Sequence, residues 1–115
     1  MQTIDMETLT RVAGATARFE GEGHGSSVSF FVVRNRPGDG ADKHRHPYDE
    51  TFVILQGDIE VIVDDEVRML GAGTIAVVPA GAWHEFKNRS RETSLMVNIH
   101  PSPRIVQEDW ADARN

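Results

Sequence analysis

Short apolar segments, each long enough for one strand, recur along most of this chain of 115 residues. Turn residues separate them: Asn35, Pro37 and Gly38 end the first strong segment, and a glycine-rich turn at 71–73 ends a later one. Segments rich in β-branched and aromatic residues and bounded by such turns are typical of a β-sandwich or β-barrel. We therefore predict an all-β fold of about eight strands, at 28–34, from His44 onward, and at 51–55, 59–63, 67–70, 74–78, 83–87 and 93–99.

The length of the chain allows one domain with a single hydrophobic core. We predict an N-terminal arm at 1–14, a barrel at 15–101, and a C-terminal tail at 102–115 that packs on the barrel or on a partner subunit. The apolar residues available for packing these flanks are Ile4, Leu9 and Val12, which share one face of a short helix, and Ile105, Val106 and Trp110 in the tail.

Charge and composition exclude several classes of function. Twelve basic and eighteen acidic residues give a net charge of -6, and the basic residues form no patch, so nucleic acid is not an expected partner. The apolar runs are strand-sized and the first ten residues lack a signal-peptide pattern, so we expect neither membrane insertion nor secretion. The absence of cysteine suits the cytoplasm and leaves imidazole and carboxylate as the available metal ligands.

Histidine and glutamate are concentrated in two short clusters. His44 and His46 are two residues apart, so they project from the same face of an extended strand, and Glu50 shares their parity if the strand continues. In the second cluster, a turn at 79–81 delivers His84 to the start of the next strand. Imidazoles combined with one carboxylate are a ligand set for a divalent transition metal.

The spacing of both clusters resembles the two sequence motifs of the cupin superfamily. The first motif is glycine, five residues, His-x-His, three residues, glutamate, six residues and glycine; the second is glycine, five residues, Pro-x-Gly, two residues, histidine, three residues and asparagine. Every specified position is matched, by Gly38, His44, His46, Glu50 and Gly57 in the first motif and by Gly73, Pro79, Gly81, His84 and Asn88 in the second.

The resemblance implies a double-stranded β-helix, the jelly-roll barrel of cupins, with a metal near one end of its interior. It also implies one divalent metal ion, Fe, Mn, Ni, Co or Zn, with open positions for a small-molecule ligand or substrate. The remaining histidines, His24 and His100, are expected to stay outside the site. The ligands that the resemblance assigns by position are His44, His46, Glu50 and His84.

Residues near these ligands follow the same strand parity. Phe52 and Ile54 follow Glu50 inward and Phe86 follows His84, which predicts apolar walls around the metal. Tyr48 and Asp49, in the loop between the first ligands, are candidates for hydrogen bonds to ligands or substrate.

The opposite face of the central segment indicates a subunit interface. Thr51, Val53 and Leu55 alternate with the inward residues, and an apolar exterior on a small barrel is typical of a covered surface. We therefore expect a homodimer.

Two functional classes remain open at this stage. The complete ligand set favours a metalloenzyme, either an oxygenase or a Lewis-acid lyase, isomerase or cyclase acting on a small organic molecule. The lack of an identifiable general base or arginine clamp favours a non-catalytic module that binds metal or a small molecule. A metal-independent epimerase is disfavoured because all four ligand positions are retained.

Overall fold

The structure is a computed structural model that describes residues 1–114. Ten strands dominate it, so the predicted all-β class is confirmed. A 3-10 turn occupies Met6–Leu9, another Gly21–His24, and a single helical turn, α1, Trp110–Ala113. The strands are β1 Ala17–Phe19, β2 Ser29–Asn35, β3 Gly40–Arg45, β4 Glu50–Gln56, β5 Asp58–Val63, β6 Glu66–Gly71, β7 Ile75–Val78, β8 His84–Asn88, β9 Ser94–His100 and β10 Glu108–Asp109.

The strands form two five-stranded antiparallel sheets in the order β1-β2-β9-β4-β7 and β10-β3-β8-β5-β6. Along β8 and β9 every second residue is buried, which is the period expected when one face of each sheet covers the core. Two facing antiparallel sheets with this alternation form the predicted jelly roll. The core between them consists of Val33, Phe52, Ile54, Ile59, Val61, Val78, Phe86 and Met96, which confirms the inward direction predicted for Phe52, Ile54 and Phe86.

Strand β3 begins earlier than the sequence predicted. A turn-rich loop was expected up to Asp42, yet Gly40 and Ala41 already pair with Lys87 and Phe86 of β8. A Cβ on Gly40 would lie 1.8 Å from the carbonyl oxygen of Phe86, so this close pairing requires glycine. From sequence alone, a glycine is more readily interpreted as a turn residue than as a position where two strands approach closely.

The two ends of the chain also differ from expectation. The N-terminal arm contains one 3-10 turn. Val12 lies beyond this turn and is 67% exposed, so Val12 shares no buried helix face with Ile4 and Leu9. Strand β1 was not predicted because three residues are too few for a periodic signal.

In the tail, β10 pairs with β3, and the ring of Trp110 contacts that of Trp83 edge to face at 5.1 Å. Within residues 1–114, no helix has the length and apolar character needed to cross a bilayer.

Candidate metal centre

The four predicted ligands lie at one end of the barrel and come from both sheets. His44 and His84 face each other across the paired strands β3 and β8, His46 follows β3, and Glu50 begins β4 in the opposite sheet. All four side chains are buried, and one ligand atom from each lies within 4.8 Å of every other. The fold therefore brings together the residues that the two motifs separate by up to forty positions in sequence.

Two contacts hold the loops that carry these residues in register. Gly81, whose φ of 78° favours glycine, donates its backbone N–H to the carbonyl oxygen of His46 at 2.8 Å. The carboxylate of Asp49 accepts the backbone N–H of Ala80 at 2.9 Å. Asp49 thus joins the loop before β4 to the turn before His84. Its hydrogen bond is to the backbone of Ala80, whereas the sequence had suggested one to a ligand or substrate.

Each of the three histidines has its Nδ1 atom next to a backbone carbonyl oxygen. The distances are 2.6 Å from His44 to Asp42, 2.7 Å from His46 to Val106 and 2.9 Å from His84 to Ala82. Because a carbonyl oxygen only accepts hydrogen bonds, Nδ1 must carry the proton in each ring. In the neutral form this leaves the lone pair on Nε2, the arrangement in which a histidine binds a metal.

The Nε2 atoms converge on the carboxylate of Glu50. Those of His84 and His46 lie 2.8 and 3.2 Å from its Oε1 atom. The His84 contact has hydrogen-bond geometry, whereas the buried Nε2 of His46 has no hydrogen-bond partner among residues 1–114. A neutral ring protonated at Nδ1 has no proton at Nε2 to donate. These short contacts therefore bring nitrogen lone pairs against the carboxylate oxygen, which is unfavourable unless a cation lies between them.

These features fit a divalent ion. Ligand atoms about 2.1 Å from a common ion are at most about 4.2 Å apart, close to the spread of the four atoms here. Three imidazole nitrogens and one carboxylate oxygen suit Fe, Mn, Ni, Co or Zn, and the ligand set alone does not select among them. An unpaired buried nitrogen is unfavourable in a metal-free site and would be satisfied by an ion.

Burial and mutual contacts set the charges of the site. Desolvation lowers the pKa of His44, and the hydrogen bond to Asp42 only partly opposes this, so the ring favours its neutral form. Burial alone would raise the pKa of Glu50, but its contacts with His100, His46 and His84 outweigh burial and hold that pKa far below its usual range. A neutral His44 beside an ionised Glu50 has the protonation states that metal binding requires.

Sequence analysis placed His100 outside the site, and this was wrong. His100 is 1% exposed, its Nε2 lies 2.9 Å from Oε2 of Glu50, and its Nδ1 lies 2.6 Å from the hydroxyl of Tyr48. The Tyr48 hydroxyl also accepts the backbone N–H of Val106 at 3.1 Å, so its own proton is available to His100 Nδ1. His100 therefore lies against the Glu50 carboxylate, although its Nε2 atom, like that of His46, has no hydrogen-bond partner among residues 1–114.

Tyr48 has the supporting role that the sequence suggested. Its ring stacks on that of His46, with ring centroids 5.3 Å apart and planes 2° from parallel, and burial raises the pKa of its hydroxyl. His24, by contrast, stacks on Phe19 at 4.9 Å and forms a hydrogen bond with Gln2 at 2.9 Å. Neither of these neighbours is a proposed ligand.

Three of the four ligands, His44, His46 and Glu50, line a cavity of about 700 Å³. Phe86, Phe31 and Val33 give it apolar walls, while Phe52 and Ile54 belong to the packed core beneath and do not line it. The predicted apolar surroundings are therefore present, although residues of β2 supply much of them. The C-terminal tail contributes Gln107, Asp109, Trp110, Ala111 and Arg114 to the lining.

Comparisons with known proteins agree with this architecture. The model of the cupin domain family matches residues 31–100, more than half of the chain. Polyketide synthase CurC of Streptomyces cyaneus is 34% identical over 102 residues, which are 86% of this chain and 59% of that protein. Quercetin 2,3-dioxygenase of Bacillus subtilis is 29% identical over 71% of this chain and 25% of its own length. This chain thus spans about three fifths or less of these two relatives.

A solved structure extends the comparison to the whole fold. The oxalate decarboxylase of Lactobacillus farciminis, in its formate complex, superposes with a TM-score of 0.78 at 18% identity, covering 90% of this chain and 33% of that one. At that identity the likeness concerns the fold alone. With the family model, both complete motifs and the two-sheet barrel in agreement, the chain belongs to the cupin family.

Proposed function

We propose that the chain is a metalloenzyme that acts on a small organic molecule at one divalent transition-metal ion, Fe, Mn, Ni, Co or Zn, held by His44, His46, Glu50 and His84. One observation carries the proposal: the backbone fixes a proton on Nδ1 of all three histidines, leaving three Nε2 atoms beside one ionised carboxylate. Such alignment of each ligand by an outer partner is characteristic of metal sites.

The chain's own residues define what can react there. A bound metal would supply Lewis acidity or, for a redox-active ion, electron transfer, at a site whose net charge is about +1 with these ligands. Phe86, Phe31 and Val33 give apolar walls to the cavity beside it. That environment favours a partly apolar, anionic ligand that reaches the ion through oxygen atoms.

The names of the relatives support a small organic substrate. One relative is named a polyketide synthase and another a quercetin 2,3-dioxygenase. Because the chain spans only part of each of these proteins, we carry over the class, a small oxygen-bearing organic molecule, and none of the individual substrates.

The proposal is tested by purifying the protein without chelator and measuring its metal content by elemental analysis. We expect one transition-metal ion per chain, and loss of that ion in His46→Ala with the far-ultraviolet circular dichroism retained. His24→Ala is the matched control, since His24 lies away from the ligands, and it should keep its metal. Absence of metal after loading with each of the five candidate ions would refute the proposal.

Catalysis is tested on the loaded protein with diketones, enols, catechols and sugar acids, by following oxygen uptake and product formation. Turnover that disappears in His46→Ala supports an enzyme. Ligand-induced thermal stabilisation without turnover on any compound would instead identify a non-catalytic binding module.

We also propose that the chain forms a homodimer through the outer face of β4 and β7. Val53 pairs with Ile75 and Thr51 with Val77, and the two β7 residues are 68% and 63% exposed, so apolar surface faces outward at a sheet edge. Light scattering at micromolar concentration should give a dimer mass, and Ile75→Lys should give a monomer. A monomer mass for the unaltered protein would refute the interface.

A further inference from the structure

Besides Nε2 of His46 and of His100 at the metal centre, two side-chain amide atoms in the cavity have no hydrogen-bond partner among residues 1–114. Asn98 is 3% exposed, yet its side-chain oxygen forms no hydrogen bond with any residue in 1–114. The buried side-chain nitrogen of Asn35 is also unpaired among the described residues. Both residues line the cavity that contains the metal ligands.

A buried asparagine elsewhere in the same barrel behaves differently. Asn88, which is fully buried, donates to the carbonyl oxygens of Asn35 and Glu92 at 2.9 and 2.8 Å and accepts the N–H of Ser90 at 2.9 Å. Its amide therefore stabilises the fold. The side-chain oxygen of Asn98 forms no hydrogen bond with residues 1–114, and burying it unpaired is unfavourable. Replacing the amide with an apolar side chain is therefore not expected to destabilise the fold.

The two unpaired amides lie in a row that leads away from the metal ligands. Asn98 is two residues before His100 on the inward face of β9, and it pairs with Phe31 of β2. Asn35 lies four residues beyond Phe31 on the same face of β2, which places it about 13 Å further along the strand. Phe31 and Val33 line the cavity wall between them.

We infer that Asn98 and Asn35 recognise polar substituents of a planar, polyoxygenated ring compound that is anchored on the metal by two of its oxygen atoms. The inference rests on the proposed function and specifies its substrate class. A metal held by the four ligands would bind the chelating oxygens, the apolar wall would contact the ring, and the amides would bond hydroxyl or carbonyl groups of the same compound.

Salicylate and its ring-hydroxylated derivatives provide a direct test. Each chelates a metal through its carboxylate and ortho-hydroxyl, and 2,3-, 2,4-, 2,5- and 2,6-dihydroxybenzoate add one hydroxyl at a different ring position. Binding to the zinc-loaded full-length protein is measured by calorimetry. We expect at least one isomer to bind about tenfold more tightly than salicylate, the gain expected from one well-formed hydrogen bond to a buried amide.

The substitution Asn98→Leu removes the amide. We expect the preferred isomer to lose its advantage over salicylate, and the melting temperature of the metal-free variant to equal or exceed that of the unaltered protein. The matched variant Asn88→Leu should lower the melting temperature because it breaks four hydrogen bonds, including one from the Ser90 hydroxyl. Asn98→Ala, which introduces no bulk, replaces Asn98→Leu if the leucine does not fit.

The outcomes separate the inference from the proposed function. If none of the five candidate ions binds, the proposed function and the inference are both overturned. If the metal-loaded protein binds neither salicylate nor any of its isomers, the inference alone is overturned. If salicylate binds but no isomer binds more tightly, or if the advantage survives in Asn98→Leu and Asn98→Ala, the inference is overturned and the metal site stands. If Asn98→Leu and Asn98→Ala both lowered the melting temperature as much as Asn88→Leu does, Asn98 would have a structural role. That result would also overturn the inference.

Discussion

The hydroxyl of Tyr48 connects the metal site to the C-terminal tail, and its removal in Tyr48→Phe tests that connection. The hydroxyl lies 2.6 Å from Nδ1 of the buried His100 and accepts the backbone N–H of Val106 at 3.1 Å. The carbonyl oxygen of Val106 in turn holds Nδ1 of His46 at 2.7 Å. Phenylalanine preserves the ring that stacks on His46, so the substitution isolates the hydroxyl.

The expected loss of stability follows from these contacts. Removing the hydroxyl leaves one buried ring nitrogen and one backbone N–H without their partner, which together cost about 2 kcal/mol of unfolding free energy. For a domain of 115 residues the entropy of unfolding is about 240 cal/mol/K, so the melting temperature should fall by about 8 °C. Because His100 lies against Glu50 and Val106 orients His46, metal affinity should also fall, by about 10- to 100-fold.

Both effects are measurable on the same preparations. Differential scanning calorimetry of the metal-free protein gives the change in melting temperature, and competition with a chromogenic chelator gives the metal affinity. Thr8→Val is the control, since the Thr8 hydroxyl donates to the carbonyl of Asp5 in an exposed turn, and its loss should change neither quantity appreciably. If Tyr48→Phe matched the unaltered protein in both measurements, the proposed connection would be incorrect.

Three further predictions concern other parts of the barrel. Gly40→Ala should lower the unfolding free energy, measured by urea titration, by more than about 2 kcal/mol, because the added Cβ would meet the carbonyl of Phe86. Gly23→Ala is the control and should not lower it, because there is open space around Gly23. Glu50→Gln should weaken metal binding by more than about 100-fold in calorimetric titration, because it removes the only anionic ligand. Metal-free protein should lose stability as the pH falls below about 6.5, measured by urea unfolding at several pH values, because the pKa of His44 is lowered on folding.

The sign of the pH effect follows from proton linkage. Below about 6.5 the unfolded chain binds a proton at His44 that the folded chain does not, so acid favours unfolding. The lowered pKa of Glu50 acts in the same direction at still lower pH. Stability that rose as the pH fell from 7 to 5 would contradict these assignments, and a Gly23→Ala variant as unstable as Gly40→Ala would contradict the close-approach explanation.

The ligand set was the part of the site most accessible from sequence. His44 and His46 share a strand face by parity, and the motif spacing fixes Glu50 and His84 relative to the turns that aim them. Strand positions were equally accessible, since the inward residues Phe52 and Phe86 follow the two-residue period. Local pattern sufficed in these cases because each residue is oriented by the strand on which it lies.

Features that depend on nonlocal pairing were not accessible. His100 reaches Glu50 only because β9 inserts between β2 and β4, an arrangement that no local spacing encodes. The same pairing places Asn98 in the cavity, where its unpaired amide is recognisable only once its neighbours are known. Strand β10, two residues long, forms because the tail meets β3 and has no strand signal of its own.

The most direct test of the metal site is nitrogen-15 NMR of the histidine side chains during titration with Zn²⁺. We predict saturation at one ion per chain, with large Nε2 shifts for His44, His46 and His84, protons retained on their Nδ1 atoms, and no metal-bound signature for His24 or His100. Coordination through Nδ1, or titration that leaves the three Nε2 resonances unchanged, would contradict the arrangement on which the proposed function depends.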